Sequence, residues 1–440
     1  MFIENVHLGY CSNIHPGEKW EEHFLHLRAK LPLVKREICP NAPFGVGLRV
    51  SAAAATALNK KEYLDKFLEF LHNEDLYVFT MNGFPYGAFH GQRVKENVYR
   101  PDWRQKQRYD YTLDLARLYT KMPLAKRSTD DTSVMVTDGV ISTVPIGFRK
   151  DFADKVEIEK AAQNLTDMVI ALYHLKEKTG FVLTLALEPE PGCLLETTDD
   201  FIEFMEKYIV TKKSVQKIQK QTALSLTGSE QAIREHLAIC LDTCHMAVMF
   251  EEPALAIQKL KASGMHIGKI QITAGLELIV GDKTAREVLS EFEDTVYLHQ
   301  VSVKSANGLA RYLDLPDALA EEGALGGRSE QKRDIWRIHY HVPLFHDMVG
   351  FHDMVGFHDM VGEAAGDSKT GNVSQRLKTR LKTTAKYASE VIALHKKSPL
   401  TERFEIETYT WDTLPVRLKR LPVEKAIAKE IAWAIKEMRS

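Results

Sequence analysis

The sequence predicts an α/β fold closed as an eight-stranded (β/α)8 TIM barrel, on three observations. Short β-rich runs alternate with amphipathic helices along most of the 440 residues. Several of the runs carry one apolar face and one small or polar face. No glycine-rich turn of the dinucleotide or phosphate-loop type follows an early strand, which counts against an open doubly wound sheet.

In order along the chain, the strand-like runs are His7–Cys11, Phe44–Val50, Leu76–Met81, Ile141–Phe148, Phe181–Glu188, Leu237–Asp242, Ile267–Thr273, Arg337–Leu344 and Phe404–Tyr409. Between them lie helical stripes spaced three or four residues apart. Trp20, Phe24, Leu27 and Leu31 form one, with Pro16 near its start. Leu165, Met168, Leu172 and Leu175 form another, with Gly180 placed as a C-terminal cap. Val373, Leu377, Leu381, Ala388 and Val391 form a third. Leu183, Leu185 and Leu187 fall on one strand face, opposite Thr184, Ala186 and Glu188. Lys269, Gln271 and Thr273 similarly oppose Ile270 and Ile272, as a barrel needs when helices cover its outside and ligands occupy its upper lumen.

These runs exceed a simple barrel by one, and Arg337–Leu344 is the expected surplus, in a loop between the seventh and eighth strands. The expected organisation is one barrel domain over 1–440, with insertions at 296–336 and 345–372. FHDMVG occurs three times without a gap, at 345–350, 351–356 and 357–362. His346, His352 and His358 there offer an auxiliary metal site, against the simpler reading of a duplication in a tolerant surface loop.

Lys plus Arg is 58 against 60 for Asp plus Glu, so charge makes no case for a nucleic-acid or membrane surface. The longest apolar runs are too short to span a bilayer, and the N-terminus does not read as a signal peptide. Cys11, Cys39, Cys193, Cys240 and Cys244 are few and scattered, which predicts free thiols and a cytoplasmic protein. Self-association into a homo-oligomer is compatible with this composition.

The chemistry concentrates at strand ends. In Ala238–Met246, AICLDTCHM, a strand delivers Asp242 at its tip and His245 three residues on, a spacing that can set a carboxylate and an imidazole around a divalent metal. Glu188 ends the strand of LALEPEPG, where Pro189 and Pro191 stop ladder pairing; Glu407 in FEIETYTW is the matching acid on the last strand. Two such carboxylates flanking a metal are the parts needed to move a proton α to a carbonyl. His339 and His341 lie on one face of their run as further ligand candidates. His7, Arg49, Asn82 and Glu190 are expected to contact substrate. The stretch Tyr86–Trp103, with His15 and His90, would form a rim and cover, and Tyr409 and Trp411 would wall the pocket.

At these residues the chain resembles a known superfamily. AICLDTCH is similar to the Asp-Thr-Cys-His metal motif of endonuclease IV, a member of the xylose-isomerase-like TIM barrels. HLGYCSNIHPGE, LALEPEPGCLLET, LDTCHMAVMFEEP, KIQIT, HYHVP and EIETYTWDTLP together resemble the EboE-type metabolite traffic proteins of that superfamily. The resemblance implies Glu188, Asp242, His245 and Glu407 as metal ligands. It sets Gln271 where the superfamily usually has a histidine, and His339 and His341 as loop ligands. The implied cofactor is a divalent metal, Zn, Mn or Mg. The implied function is a metal-dependent isomerase or epimerase on a sugar, sugar phosphate or polyol, with Glu188 and Glu407 as the acid/base pair and a link to small-metabolite traffic. The rivals are an endonuclease IV-like phosphodiesterase and a barrel that binds a metabolite without turning it over.

Overall fold

Eight parallel strands close into a ring: β1 (Val6–Cys11), β2 (Phe44–Arg49), β3 (Leu76–Asn82), β4 (Asp138–Thr143), β5 (Val182–Leu187), β6 (Leu237–Asp242), β7 (Ile267–Ile272) and β8 (Arg403–Ile406). Each pairs with the next in sequence, and β8 pairs back with β1. This computed structural model describes residues 1–91, 93–122, 126–129, 132–135, 138–280, 289–324, 334–346 and 381–440. None of the described helices is long and apolar enough to cross a membrane.

The alternation within strands sorts residues between two environments. Leu183, Leu185 and Leu187 are buried in the large cluster shared with the surrounding helices, each contributing about 1.5–3 kcal/mol on burial. Ala186 instead joins Val140, Ala238 and Cys240 in a separate cluster of small residues, the filling of the lumen. A buried ion pair joins the neighbouring strands β7 and β8, between Lys269 and Glu405. Gly47 on β2 makes room for it, since a Cβ there would collide with the Glu405 carboxylate.

The helices follow their capping chemistry. Asp154 accepts the Glu157 amide at the start of Lys155–Thr179, and Gly180, at φ 71°, ends that helix in the left-handed region. Trp20–Ile38 carries the first apolar stripe, with Trp20, Leu27 and Leu31 buried.

Between β7 and β8 the chain builds a five-stranded antiparallel sheet, ordered Gly308–Tyr312, Val301–Ser305, Asp334–Ile338, Leu276–Val280, Leu381–Thr383. It begins before residue 296, because Leu276–Val280 leaves the barrel only a few residues beyond β7. Three sequence expectations are corrected here. The run expected at Arg337–Leu344 is strand only to Ile338, and His339–Leu344 continues without ladder pairing into the site. Leu381, expected in a helix, is in a strand, and the helix there is Ala385–Lys397. The fourth barrel strand is Asp138–Thr143 rather than Ile141–Phe148: Pro145 lacks an amide hydrogen and Ile146 has φ 72°, so pairing ends at Thr143. The FHDMVG repeats beyond His346 lie outside the described residues.

Candidate metal centre

Parallel strands in one ring point their carboxyl ends the same way, so inward side chains at those ends must converge. Glu188 just beyond β5, Asp242 at the end of β6 and Glu407 just beyond β8 are all buried, and one oxygen of each lies within 4.8 Å of the others. Asp242, His245 and His341 form a second such group, and Glu190, His245 and His339 a third.

Asp242 and Glu407 are each anchored through one oxygen, and Asp242 and Glu188 each offer an oxygen without a partner among the described residues. Oδ1 of Asp242 accepts from the amides of Cys244 (2.7 Å) and His245 (2.9 Å) and from the Thr273 hydroxyl (2.7 Å), capping the helix Thr243–Val248. Its Oδ2 has no hydrogen-bond partner among the described residues, and neither has Oε2 of Glu188. Oε1 of Glu407 accepts from the side-chain amides of Asn13 (2.6 Å) and Asn82 (3.1 Å).

The three histidines are held the same way round. Nδ1 of His245 donates to the Pro189 carbonyl at 2.9 Å, and Nδ1 of His341 to the Glu407 carbonyl at 2.8 Å. Nδ1 of His339 lies 2.7 Å from Oε1 of Gln300, which is also an acceptor. A carbonyl can only accept, so in each neutral ring the proton is on Nδ1 and Nε2 carries a lone pair. Nε2 of His341 has no partner among the described residues. Nε2 of His245 faces Nε2 of His339 at 3.0 Å, with the Tyr409 hydroxyl 3.5 Å from the latter. Two lone pairs at that separation repel unless a cation stands between or beside them. Imidazoles fixed through Nδ1–H to a carbonyl, presenting Nε2 to a common point, are what a metal-ligating set requires. Mixed carboxylate and imidazole donors of this kind suit a divalent metal ion.

Electrostatics agrees. Burial, then the charges of Glu407, Asp242 and Glu190, drives the Glu188 carboxyl well above its ordinary range, with Lys269 opposing. Burial and Asp242 push Glu407 up to about 8. Burial and the neighbouring histidines lower His339, and burial lowers His341 to about 4, so both rings are neutral. The sign for Glu407 follows from its pKa being higher in the fold than the ordinary 4.5. Its contribution to the metal-free fold is complete below about pH 4.5 and is lost as pH rises through about 8. A dication must displace that proton, so cation binding at pH 7 is expected to release at least one proton, and affinity should climb toward pH 8. Calorimetry in buffers of different ionisation enthalpy measures this; a heat independent of buffer would refute it.

Above the centre lies a partly open pocket, whose roughly 520 Å³ of empty space includes open solvent. Asn82, Glu190 and Tyr409 line it, with Asn13, Phe84, Phe89, Tyr99 and Tyr297. The cover expected at Tyr86–Trp103 is tied down by Tyr297, whose hydroxyl donates to the Phe89 carbonyl at 2.9 Å.

Four expected site residues are not brought to the pocket. His7 lies near the start of β1, at the opposite end of the barrel, with Nδ1 3.0 Å from the Tyr77 hydroxyl. Arg49 is consumed by the backbone, donating to the carbonyls of Gly17 (2.8 Å) and Gly87 (2.5 Å) and joining two loops. Trp411 packs into the helical core. Gln271 gives its side-chain oxygen, the one atom able to ligate, to the Cys240 thiol at 3.2 Å, so it offers no ligand in this conformation. Asn13, Thr273 and Gln300 were missed. Asn13 and Thr273 sit inside the motifs HLGYCSNIHPGE and KIQIT, where two-residue alternation and strand-end position were the available signals. Gln300 lies in the insertion and had none.

No protein-family model and no curated protein matches this chain. Solved structures do. Similar folds are found among xylose-isomerase-like barrels. One, from Mycobacterium smegmatis and in complex with magnesium, is 8% identical, covers 100% of this chain and 98% of its own, and has a TM-score of 0.47. The probable 3-DHS dehydratase AsbF from Bacillus anthracis is 12% identical over 96% of each chain, TM-score 0.40. The E. coli 3-keto-D-glucoside 4-epimerase YcjR is 13% identical over 73% of this chain and 98% of its own, TM-score 0.34. None of these three carries the EboE-type name.

Proposed function

We propose that this protein is a divalent-metal-dependent isomerase or epimerase of a sugar, sugar phosphate or polyol, a xylose-isomerase-like barrel of the EboE-type branch serving small-metabolite traffic. The observation that carries it is the joint geometry of Glu188, Asp242, Glu407 and the three Nε2-presenting histidines beneath a partly open, aromatic-lined pocket. These residues fit a cation: they bring buried carboxylates that repel one another and imidazole lone pairs that oppose one another. When bound, the cation polarises the substrate's carbonyl and hydroxyl oxygens and acidifies the adjacent C–H.

Glu188 takes the proton from carbon on Oε2, the oxygen without a partner, and Glu407 returns one from Oε2, its Oε1 being held by Asn13 and Asn82. Tyr409, 4.7 Å from His341 between ring centroids, together with Phe89 and Tyr297, forms an aromatic roof that excludes water and stacks on the C–H face of a sugar. The test is metal analysis of the native protein, then turnover of a sugar and polyol panel by the protein with its native metal restored. A protein with no divalent metal and no turnover would refute the reading. Tight binding without product would favour the non-catalytic barrel, and nicking of abasic DNA the phosphodiesterase.

The pocket's charge favours a neutral substrate over its phosphate ester. Lys95 lines the pocket, but its ammonium is engaged by Asp314 at 2.5 Å and the Asp294 carbonyl at 2.8 Å, while the floor carries Glu188, Glu190 and Glu407. A free sugar is therefore expected to bind more tightly than its monophosphate, and Asp314→Asn should narrow the difference by freeing the ammonium. Competition binding with matched pairs reads this, and tighter binding of the phosphate by the unaltered protein would overturn it.

A further inference from the structure

Of the groups around the centre, Gln300 stands outside every strand end and belongs to the insertion, directly before its strand Val301–Ser305. It is buried, and both ends of its amide are used. Nε2 donates to the Pro191 carbonyl at 2.9 Å and to the Tyr99 hydroxyl at 2.9 Å, and that hydroxyl donates onward to Oε1 of Glu190 at 2.8 Å. The Pro191 carbonyl can only accept, so it fixes which end of the amide is nitrogen. The oxygen then faces Nδ1 of His339 at 2.7 Å, and that nitrogen must carry the proton. The backbone amide of His339 meanwhile donates to the Gln300 carbonyl at 2.8 Å, so the two residues are joined through main chain and side chain.

We infer that Gln300 is a positioning residue that sets the tautomer of His339, turning its Nε2 lone pair toward the cation position beside His245. The inference rests on the metal reading for its purpose, though not for the tautomer itself. It also gives the proline-bearing loop a precise part. Pro189 sets the His245 tautomer directly, and Pro191 sets that of His339 through Gln300. The insertion and the barrel loop thus orient the two facing imidazoles together. Glu190 is tied into the same chain through Tyr99, so its carboxylate is held beside His339, 3.6 Å from Nδ1. The Pro191 carbonyl can only accept, and with the Gln300 amide fixed by it the Tyr99 hydroxyl accepts from Gln300 and donates to Glu190, while His339 Nδ1 donates to Gln300. Outer-shell hydrogen-bond partners of this kind fix ring orientation and raise ligand basicity, and their loss costs about 10–100-fold in metal affinity.

The test has two readouts. In metal-free protein with 15N-labelled histidine, the His339 side chain, assigned by loss of its signal in His339→Asn, is expected as the Nδ1–H tautomer. Gln300→Met, which keeps the length but removes both amide atoms, should lose that preference, while His245 keeps its own. Gln300→Glu, which keeps an acceptor toward Nδ1, should restore it. In parallel, titration with Co2+ followed by its visible spectrum should show about 10–100-fold weaker binding in Gln300→Met and substantial recovery in Gln300→Glu. An Nε2–H tautomer at His339 in the unaltered protein overturns the inference, whether or not Gln300→Met folds. So does cobalt binding in Gln300→Met equal to that of the unaltered protein, a result that leaves the metal reading standing. Failure of the unaltered protein to bind cobalt would instead refute the metal reading, and the tautomer signal would still decide the role of Gln300.

Discussion

Replacing Glu407 by glutamine is expected to lower turnover by about 10²–10⁴-fold and to weaken cation binding sharply, while leaving the fold intact. Asn13 and Asn82 both donate to Oε1 of this residue. A glutamine in its place must turn its oxygen to those two amides, which sets its NH2 group toward the centre. A donor would then face the cation where an acceptor stood. The same change removes a carboxyl that burial and Asp242 push up to about 8, so the metal-free variant should be the more stable protein above neutral pH. Loss of function with gain of metal-free stability is the signature of a charge kept for chemistry. Metal content, turnover and denaturant melts at two pH values measure all three. Unchanged metal content together with unchanged turnover would end the assignment of Glu407.

Replacing Lys269 by methionine is expected to cost about 3–5 kcal/mol of stability, the usual penalty for leaving one member of a buried ion pair unpaired. Lys269 and Glu405 are both fully buried in the lumen, and the second oxygen of Glu405 has no hydrogen-bond partner among the described residues. Without the ammonium, the Glu405 charge would stand in an apolar lumen beneath further carboxylates. Replacing both residues, Lys269→Met with Glu405→Leu, should recover most of the loss, since apolar groups of similar volume remove the burial penalty altogether. Denaturant unfolding of the two variants measures this directly. A single variant as stable as the unaltered protein would show that the pair does not hold the lumen together.

Much of the barrel was legible because its periodicity is local. Leu183, Leu185 and Leu187 alternate with Thr184, Ala186 and Glu188 whatever the rest of the chain does, and the strand ends after Glu188 because two prolines follow. Seven of the barrel strands lie close to where alternation sets them. The one misplaced strand, expected at Ile141–Phe148, is so because an apolar run continues past the point where Pro145 ends pairing. His7 and Arg49 show the limit of the same reasoning. Both face inward as alternation requires, but inward position does not say which end of a closed barrel a side chain occupies, or whether backbone carbonyls will claim it first.

From its own sequence, then, the chain determined the alternation of strand and helix, the inward acids Glu188, Asp242 and Glu407, and the short link from Asp242 to His245, because each depends on residues a few positions apart. Tertiary structure alone decided that Asn13 would hold Glu407, that Gln300 would orient His339 and that Gln271 would turn to Cys240. Those contacts join residues from different turns of the barrel and from the insertion. Ring closure and the packing of the antiparallel sheet bring such groups together, and no local pattern encodes a hydrogen bond between side chains so far apart in the chain.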